Sequence, residues 1–447
     1  MTKPVTFSPI HKMASYGILR QHSIGLLIET IGSFLGCKVN FHDNPRKTFL
    51  DGFGINIMDK VNRGVYPIDD RNVLILGRIM RDNQLLTAMG FHLVNVDVKN
   101  ATKMFNILER CLTKILSTEF PLYFENCTVL FGDELVKRVI SDYVSRGTYD
   151  YRQIRHLVDY FFKLRTTSFE GEYFSTGAIF SKSQDIFDGT FDSKRFGSRK
   201  NLSQPFSINK TNKVDKRIWY LVDGKTSFLL GDKNLFFREL FILDSGYANN
   251  NFLDIHSLAL TLRGGDFLIK VENEKMLSII TSDGSEFMFF ENRWKYRNYS
   301  SLKKILFSFI SSDENLINSL LFYILSCAKQ QKSSILWFPE HLEDINRFIN
   351  VNTKNQFLSD NFNISDKKVI NHVMRCLTSD GISIINREGE LVYFGVIANI
   401  NLSPVSGISG TGETAASVLC ENGLSIKISS DGGIKIFTGI LEEPYYF

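Results

Sequence analysis

A chain of 447 residues exceeds what one ordinary hydrophobic core organises, so two or three domains are expected. Apolar residues make up 43% and charged residues 22%, which excludes extended disorder, and an aromatic content of 13%, with 38 Phe, supplies large core side chains. The formal net charge of +4 is small for this size and its signs are interspersed, which excludes a general nucleic-acid or membrane-binding footprint.

The cysteines Cys37, Cys111, Cys127, Cys327, Cys376 and Cys420 are scattered with no C-x-x-C spacing, arguing against a zinc site or disulfide framework and for a reducing, cytoplasmic compartment. The first residues, MTKPVTFSPIHKMASYG, lack the apolar region of a signal peptide. No run approaches the roughly 18 apolar residues of a membrane span.

Residues 1–145 mix helical and strand-like patterns. An apolar-periodic helix around Ile24–Leu35 closes on Gly36, a short strand Val73–Leu76 ends at Gly77, and Asn83–Met89 reads as a helix stopped by Gly90. A strand Phe91–Val96 and a helix Ala101–Leu116 follow, a βαβα order that predicts a small α/β domain. No G-x-G-x-x-G accompanies the Gly77-Arg78 turn, so nucleotide binding is not indicated there.

Residues 146–300 open with a helix over 150–165, whose apolar face holds Ile154, Leu157, Val158, Phe161, Phe162 and Leu164. From Thr166 the pattern is β, with Asp223-Gly224 and Asp283-Gly284 read as type I′ hairpin turns, which need positive φ at both central residues. A polar segment, Asp192–Lys216, carries Lys194, Arg195, Arg199, Lys200, Lys210, Lys213 and Lys216 and is expected to be a long solvated loop. A phosphate-contacting role for it is the weaker reading.

After a helix at 301–309, residues 314–447 read α, β, α, α, β, β, α, β, β. Helices Ser301–Phe309 and Glu314–Lys329 precede a strand Ser334–Phe338 and a helix candidate His341–Ile349, and a helix Asp366–Leu377 begins at an N-cap-like Ser365. That helix runs into Asp380-Gly381-Ile382 at the head of a strand. A turn at Glu388-Gly389, a strand Leu391–Ile397, a Gly/Ser loop, a short helix and a hairpin at Asp431-Gly432-Gly433 complete the pattern.

Four of these features, in order and spacing, resemble a diverged diadenylate cyclase (DAC) domain over about residues 305–440, a third of the chain. The helix and strand NSLLFYILSCAKQQKSSILWFP match its first pair. Asp380-Gly381-Ile382 stands at its Asp-Gly-Ala motif, Gly410-Thr411-Gly412-Glu413-Thr414-Ala415-Ala416 at its Gly-Thr-Arg-His-Arg-Ala-Ala motif, and Ser429-Ser430-Asp431-Gly432-Gly433 at its Ser-Glu-Glu-Thr-Gly hairpin. The resemblance implies a DAC-like α/β domain with a mixed central sheet. The fold class expected for the whole chain is therefore α/β and α+β multidomain, with a small α/β N-terminal domain (1–145), a sheet-rich middle domain (146–300) and the DAC-like domain (301–447).

In that family the Arg-His-Arg triplet contacts the triphosphate, and the Asp of Asp-Gly-Ala helps hold the metal and the attacking ribose hydroxyl. Here Asp380 and Gly381 remain while Gly412-Glu413-Thr414 replaces the triplet, a local charge change of about −3. Each unit charge about 4 Å from a phosphate is worth roughly 4 kcal/mol at an effective dielectric near 20, and arginine also supplies bidentate geometry. ATP is then poorly held for reaction. The backbone of Gly410-Thr411-Gly412 at a helix N-terminus still suits a less charged anion, Glu413 can accept hydrogen bonds from a base or ribose, and an adenine is expected between the strands at Ile335 and Ile382.

The resemblance thus points to the nucleotide-sensor branch of DAC-related proteins (DACNV-like), joined to other modules in bacterial conflict and signalling systems. The ligand-binding residues implied are Asp380, Gly381, Ile382, Gly410, Thr411, Gly412, Glu413 and Thr414, the ligand a nucleotide or cyclic oligonucleotide, and the further partners an effector protein and a second copy of the chain. The alternatives are an active nucleotidyl cyclase, with Asp380 holding Mg or Mn and a basic residue from another segment replacing the arginines, and a structural module in which Asp380 and the glycines only shape turns. His256, His341 and His372 stand alone, without matched ligands, and Cys420 reads as core.

Overall fold

A computed structural model describes residues 17–43, 65–69, 71–81, 84–94, 96, 98–118, 130–146, 148–183, 197–208, 216–244, 255–311, 313–355, 357, 360–399, 410–439 and 444–447. The chain is a multidomain α/β and α+β protein with two compact units, Met1–Ile242 with Ala259–Arg297, and Leu243–Leu258 with Asn298–Phe447.

In the first unit, helix α1 (Gly17–Leu35) is followed by β1 (Lys38–Asp43), β2 (Val65–Pro67), β3 (Val73–Arg81) and β4 (Gln84–Val94), an antiparallel sheet of order β1-β4-β3-β2. The helix expected over Asn83–Met89 is therefore strand from Gln84, and Asn83 lies outside the described residues. The physical reason is a period of two: Met89, Phe91 and Leu93 alternate into the core, and β3 pairs with β4 along its whole length. Gly77 does not end β3. A Cβ there would stand 2.7 Å from Leu116 of helix α2 (Val98–Thr118), so glycine lets the helix lie close on the strand.

Helices α3 (Leu130–Ser145) and α4 (Tyr151–Arg165) come next. Asp150 caps α4, its Oδ1 accepting the N–H groups of Arg152 and Gln153 at 2.9 and 3.1 Å. The small hairpin β5 (Ser168–Phe169) and β6 (Glu172–Tyr173) leads to an eight-stranded sheet made of β7 (Thr176–Phe180), β8 (Gly197–Ser207), β9 (Ser227–Gly231), β10 (Phe236–Leu243), β11 (Phe267–Asn273), β12 (Met276–Thr281), β13 (Ser285–Phe290) and β14 (Arg293–Asn298). Its order is β14-β13-β12-β11-β7-β9-β10-β8. One hydrophobic cluster runs from Leu27 of α1 to Tyr296 of β14, so residues of 1–145 and of 146–300 share a core.

Three further expectations change here. The segment 192–216 is not all loop: residues 197–207 form β8 at the sheet edge, largely exposed and carrying Arg199 and Lys200, while Lys194, Arg195, Lys210 and Lys213 lie outside the described residues. Residues Lys216–Leu221 form a 3-10 turn, so Asp223-Gly224 does not join two strands. Asp283 is not at positive φ, and Gly284 at φ +82° donates its N–H to the Thr281 carbonyl at 2.9 Å, so this hairpin closes on one left-handed glycine and not on a type I′ pair. Asp431-Gly432 behaves likewise, with Gly432 at φ +80° bonded to Ser429.

Helix α5 (Ile255–Leu260) spans the division after Leu258, and the second unit continues with α6 (Tyr299–Phe309) and α7 (Glu314–Lys329), followed by β15 (Ser334–Phe338). A 3-10 turn (Leu342–Asp344) and a single turn α8 (Ile345–Phe348) replace the longer helix expected over 341–349. After β16 (Phe362–Asn363), Asp366 and not Ser365 is the cap: its Oδ1 accepts the Lys368 N–H at 2.9 Å and opens a 3-10 turn into α9 (Ile370–Leu377). The remaining elements are β17 (Ile382–Ile385), β18 (Glu390–Val396), α10 (Thr411–Leu419), β19 (Leu424–Ile428), β20 (Ile434–Thr438) and β21 (Tyr445–Tyr446).

They form a mixed seven-stranded sheet of order β16-β18-β17-β15-β19-β20-β21, in which, among the described residues, β15 and β17 run parallel and the other neighbours antiparallel. Alternation splits the sheet into two faces. Ile335, Trp337, Ile382, Ile384 and Val396 pack under Ala415, Ala416, Val418 and Leu419 of α10. On the opposite face the Ser334 hydroxyl reaches the Leu377 carbonyl of α9. The unit is thus a helix–sheet–helix sandwich, and a side chain's place in the β alternation decides which helix it meets.

Candidate functional site

The register of the second sheet places the two motif segments at one end and on one face. Val396 pairs with Ile382, Ile382 with Ile335, Ile335 with Lys427, and Lys427 with Lys435, a continuous row across five strands. Paired residues share a face, and this is the face covered by α10. Asp380-Gly381 enters the row at its β17 position, and Gly412 in the first turn of α10 lies against Lys427. Neighbouring strands are about 4.8 Å apart, so Ile382 and Lys427 are separated by about 10 Å.

Gly381 has φ +106°, and a Cβ on it would stand 2.7 Å from the Gly395 carbonyl carbon and 2.8 Å from the Val396 oxygen. The bare backbone is needed where β17 crosses close to β18, which gives Gly381 a structural duty whatever binds nearby. Asp380 is exposed, and among the described residues its carboxylate has no hydrogen-bond or ion-pair partner. Ile382 and Ile335 are buried, hydrogen-bonded neighbours in parallel strands, so the space expected between them for an adenine does not exist.

Helix α10 starts at Gly410, which is the N-cap, has φ +107° and gives no side-chain cap. Thr411 is exposed, and the Thr414 hydroxyl turns back to the Gly410 carbonyl at 3.1 Å. The first-turn N–H groups therefore lack the side-chain acceptor that usually satisfies one of them. Glu413 does not stand free for a base or ribose: Lys435 of β20 closes on it as an ion pair, each side chain 22% exposed.

Lys427 lies under the same turn, and its residue is 8% exposed. Its ammonium donates to the Ser333 hydroxyl at 2.6 Å, and Ser333 itself is exposed, so the stem is buried while the head reaches the rim. Burial holds this ammonium below the ordinary lysine value; Glu413 opposes that shift and Lys435 adds to it. The sequence suggested a site stripped of positive charge. The fold restores it, with two lysines beside one glutamate.

The lysines were missed in the motif comparison, yet a signal was present. Residues equidistant from the centre of a hairpin face each other, and Lys427 and Lys435 each lie four residues from Asp431. Each also interrupts an apolar strand in which charge is costly.

No described protein family matches the chain, and no curated protein does. Among solved structures, the chain has a likeness to one described as a hypothetical membrane spanning protein from Bacillus cereus, at 15% identity and a TM-score of 0.27, covering 33% of this chain and 70% of that one. A likeness this slight carries no argument about fold or function.

The other polar residues do not join the site. His256 is buried and stacks on Tyr299 with ring centroids 4.9 Å apart; His372 lies 5.7 Å from Phe362; the backbone N–H and carbonyl of His341 are held by the Asn422 side chain. Cys420 follows α10 in a 3-10 turn that ends at Gly423, and burial pushes its thiol up to about 11. Cys37, Cys111, Cys327 and Cys376 are also free, and Cys127 lies outside the described residues. Among the described residues no three His, Cys, Asp or Glu side chains group to hold a metal ion, and no helix is long and apolar enough to cross a membrane.

Proposed function

We propose that the second unit binds a nucleotide or cyclic oligonucleotide messenger without converting it, and acts as a cytoplasmic sensor whose ligand alters the engagement of an effector protein or of a second copy of the chain. The observation carrying this reading is the convergence of Asp380-Gly381 and the uncapped first turn of α10 on one row and one face of the sheet. The absence of arginine from Gly412-Glu413-Thr414 supports recognition over turnover. Calorimetry against a panel of cyclic di-, tri- and larger oligonucleotides tests it. At least one member is expected to bind, and a folded protein that binds none of them sinks the proposal.

A second reading, an active nucleotidyl cyclase of the DAC type, is favoured by one observation: Lys427 and Lys435 bring positive charge from another segment to where the triplet is lost. In that reading Asp380, exposed and unpartnered, would hold Mg or Mn. Incubation with ATP or GTP and either metal, followed by mass spectrometry, separates the two. Product that is lost in Asp380→Asn supports the cyclase, and no product from folded protein leaves the sensor.

A further inference from the structure

A cleft of about 200 Å³ opens within the first unit between helix α1, helix α3 and the start of strand β14. Helix α1 lines it with one stripe at helical spacing, Leu26, Glu29, Thr30 and Ser33, and α3 contributes Asp133 and Val136. The turn Glu291-Asn292, both residues at positive φ, then sets two unlike side chains in the lining. Arg293 is more than half exposed and marks the mouth, whereas Trp294 is 4% exposed and belongs to the interior.

The indole N–H of Trp294 is shut off from solvent and has no hydrogen-bond partner among the described residues. An indole nitrogen can only donate, so what it lacks is an acceptor. At the mouth, Nη2 of Arg293 pairs with Oε1 of Glu29 at 2.8 Å, which leaves the second carboxylate oxygen and the other guanidinium N–H groups open to a further partner. Asp133 is met by Lys137 at 2.9 Å. Two carboxylates and one guanidinium give the lining a net charge of −1, so a free phosphate or a nucleotide is repelled while a zwitterion is not. The volume lies below the roughly 300–1,000 Å³ of clefts that hold drug-sized ligands, which sets the occupant at the size of a small metabolite.

We propose that this cleft binds a free α-amino acid with an apolar side chain. Its carboxylate extends the mouth pair on the Arg293 side and supplies the acceptor that the Trp294 N–H lacks; its ammonium extends the pair on the Glu29 side, with the Ser33 hydroxyl as a second acceptor. The charges then alternate along a row of four, carboxylate, guanidinium, carboxylate and ammonium, and the existing pair need not open. Leu26, Val136 and the Trp294 ring offer the apolar surface for the side chain. The site is independent of the nucleotide reading of the second unit, because all of its residues belong to the first.

The test titrates the full chain with the standard L-α-amino acids, read by calorimetry and by tryptophan fluorescence. At least one apolar member, with L-leucine and L-methionine the first probes, is expected to bind saturably. Glu29→Gln and Arg293→Gln should each weaken it at least tenfold while melting where the unliganded wild type does, since an exposed pair adds little to stability. Trp294→Phe keeps a ring and removes the donor, so it should weaken binding several-fold and abolish the fluorescence change. The analogues 4-methylpentanoate and isoamylamine, each lacking one of the two charges, should bind at least tenfold more weakly than leucine. Folded wild-type protein that binds no amino acid overturns the proposal. So does binding that survives both mouth substitutions, or an analogue with one charge that binds as tightly as the zwitterion.

Discussion

A methyl group at position 412 would push directly on the Lys427 side chain, so Gly412→Ala reports on how firmly that lysine is held. We expect Gly412→Ala to cost less than about 1 kcal/mol in urea unfolding, because the atoms it meets are the far end of a flexible lysine that can give way, below the range for overfilling a rigid core. Most of that cost should vanish when Lys427 is shortened to Ala, a coupling that a double-mutant cycle measures directly. In the first unit, Asp223 offers a separate test. Burial would raise its carboxyl, but the Thr226 hydroxyl and the N–H groups of Lys225, Ser227 and Thr226 hold it down to about 2. A depressed carboxyl adds stability above its unfolded value, near 3.8, and loses it as pH falls through about 2. Because the residue is exposed, Asp223→Asn should cost only about 1 kcal/mol at pH 5, and urea midpoints should show the deficit shrinking toward pH 2.

Elements show where local pattern was enough and where it was not. Helices with a face of apolar residues and an acidic cap, such as α4 behind Asp150 and α7 behind Asp313, could be placed from sequence to within a residue or two. The strand β15 fell at its expected residues, Ser334–Phe338. The β4 segment did not read as strand, because Gln84-Leu85-Leu86 favours helix locally and only the pairing with β3 overrides it. For the candidate site, sequence singled out Asp380-Gly381 and Gly410–Thr414, whereas Lys427 and Lys435 come from strands whose meeting depends on sheet order. Gly381 is where an element-scale prediction belongs. Gly381→Ala forces a side chain into the backbone crossing of β17 and β18 and imposes an unfavourable φ, so a loss of about 2–4 kcal/mol is expected by chemical denaturation. For comparison, Asp150→Ala removes one helix cap and should cost about 1 kcal/mol.

At the scale of the molecule, the second unit resumes at Asn298, where hairpin signals in the sequence give way to alternating helices and strands. The excursion of Leu243–Leu258 into the second unit was not, since no local pattern marks which core a segment joins. The chain therefore passes between the units three times, after Ile242, Leu258 and Arg297. One consequence concerns cleavage. A protease cut between Ile242 and Ala259 would divide the polypeptide yet leave its two pieces woven together, because β11, made after the cut, lies antiparallel beside β7, made before it, from Phe267–Phe180 to Val271–Thr176. The nicked protein should migrate as one species under native conditions and as two fragments in detergent. Separately expressed halves divided there should reassemble on mixing, each being a template for the strand the other lacks.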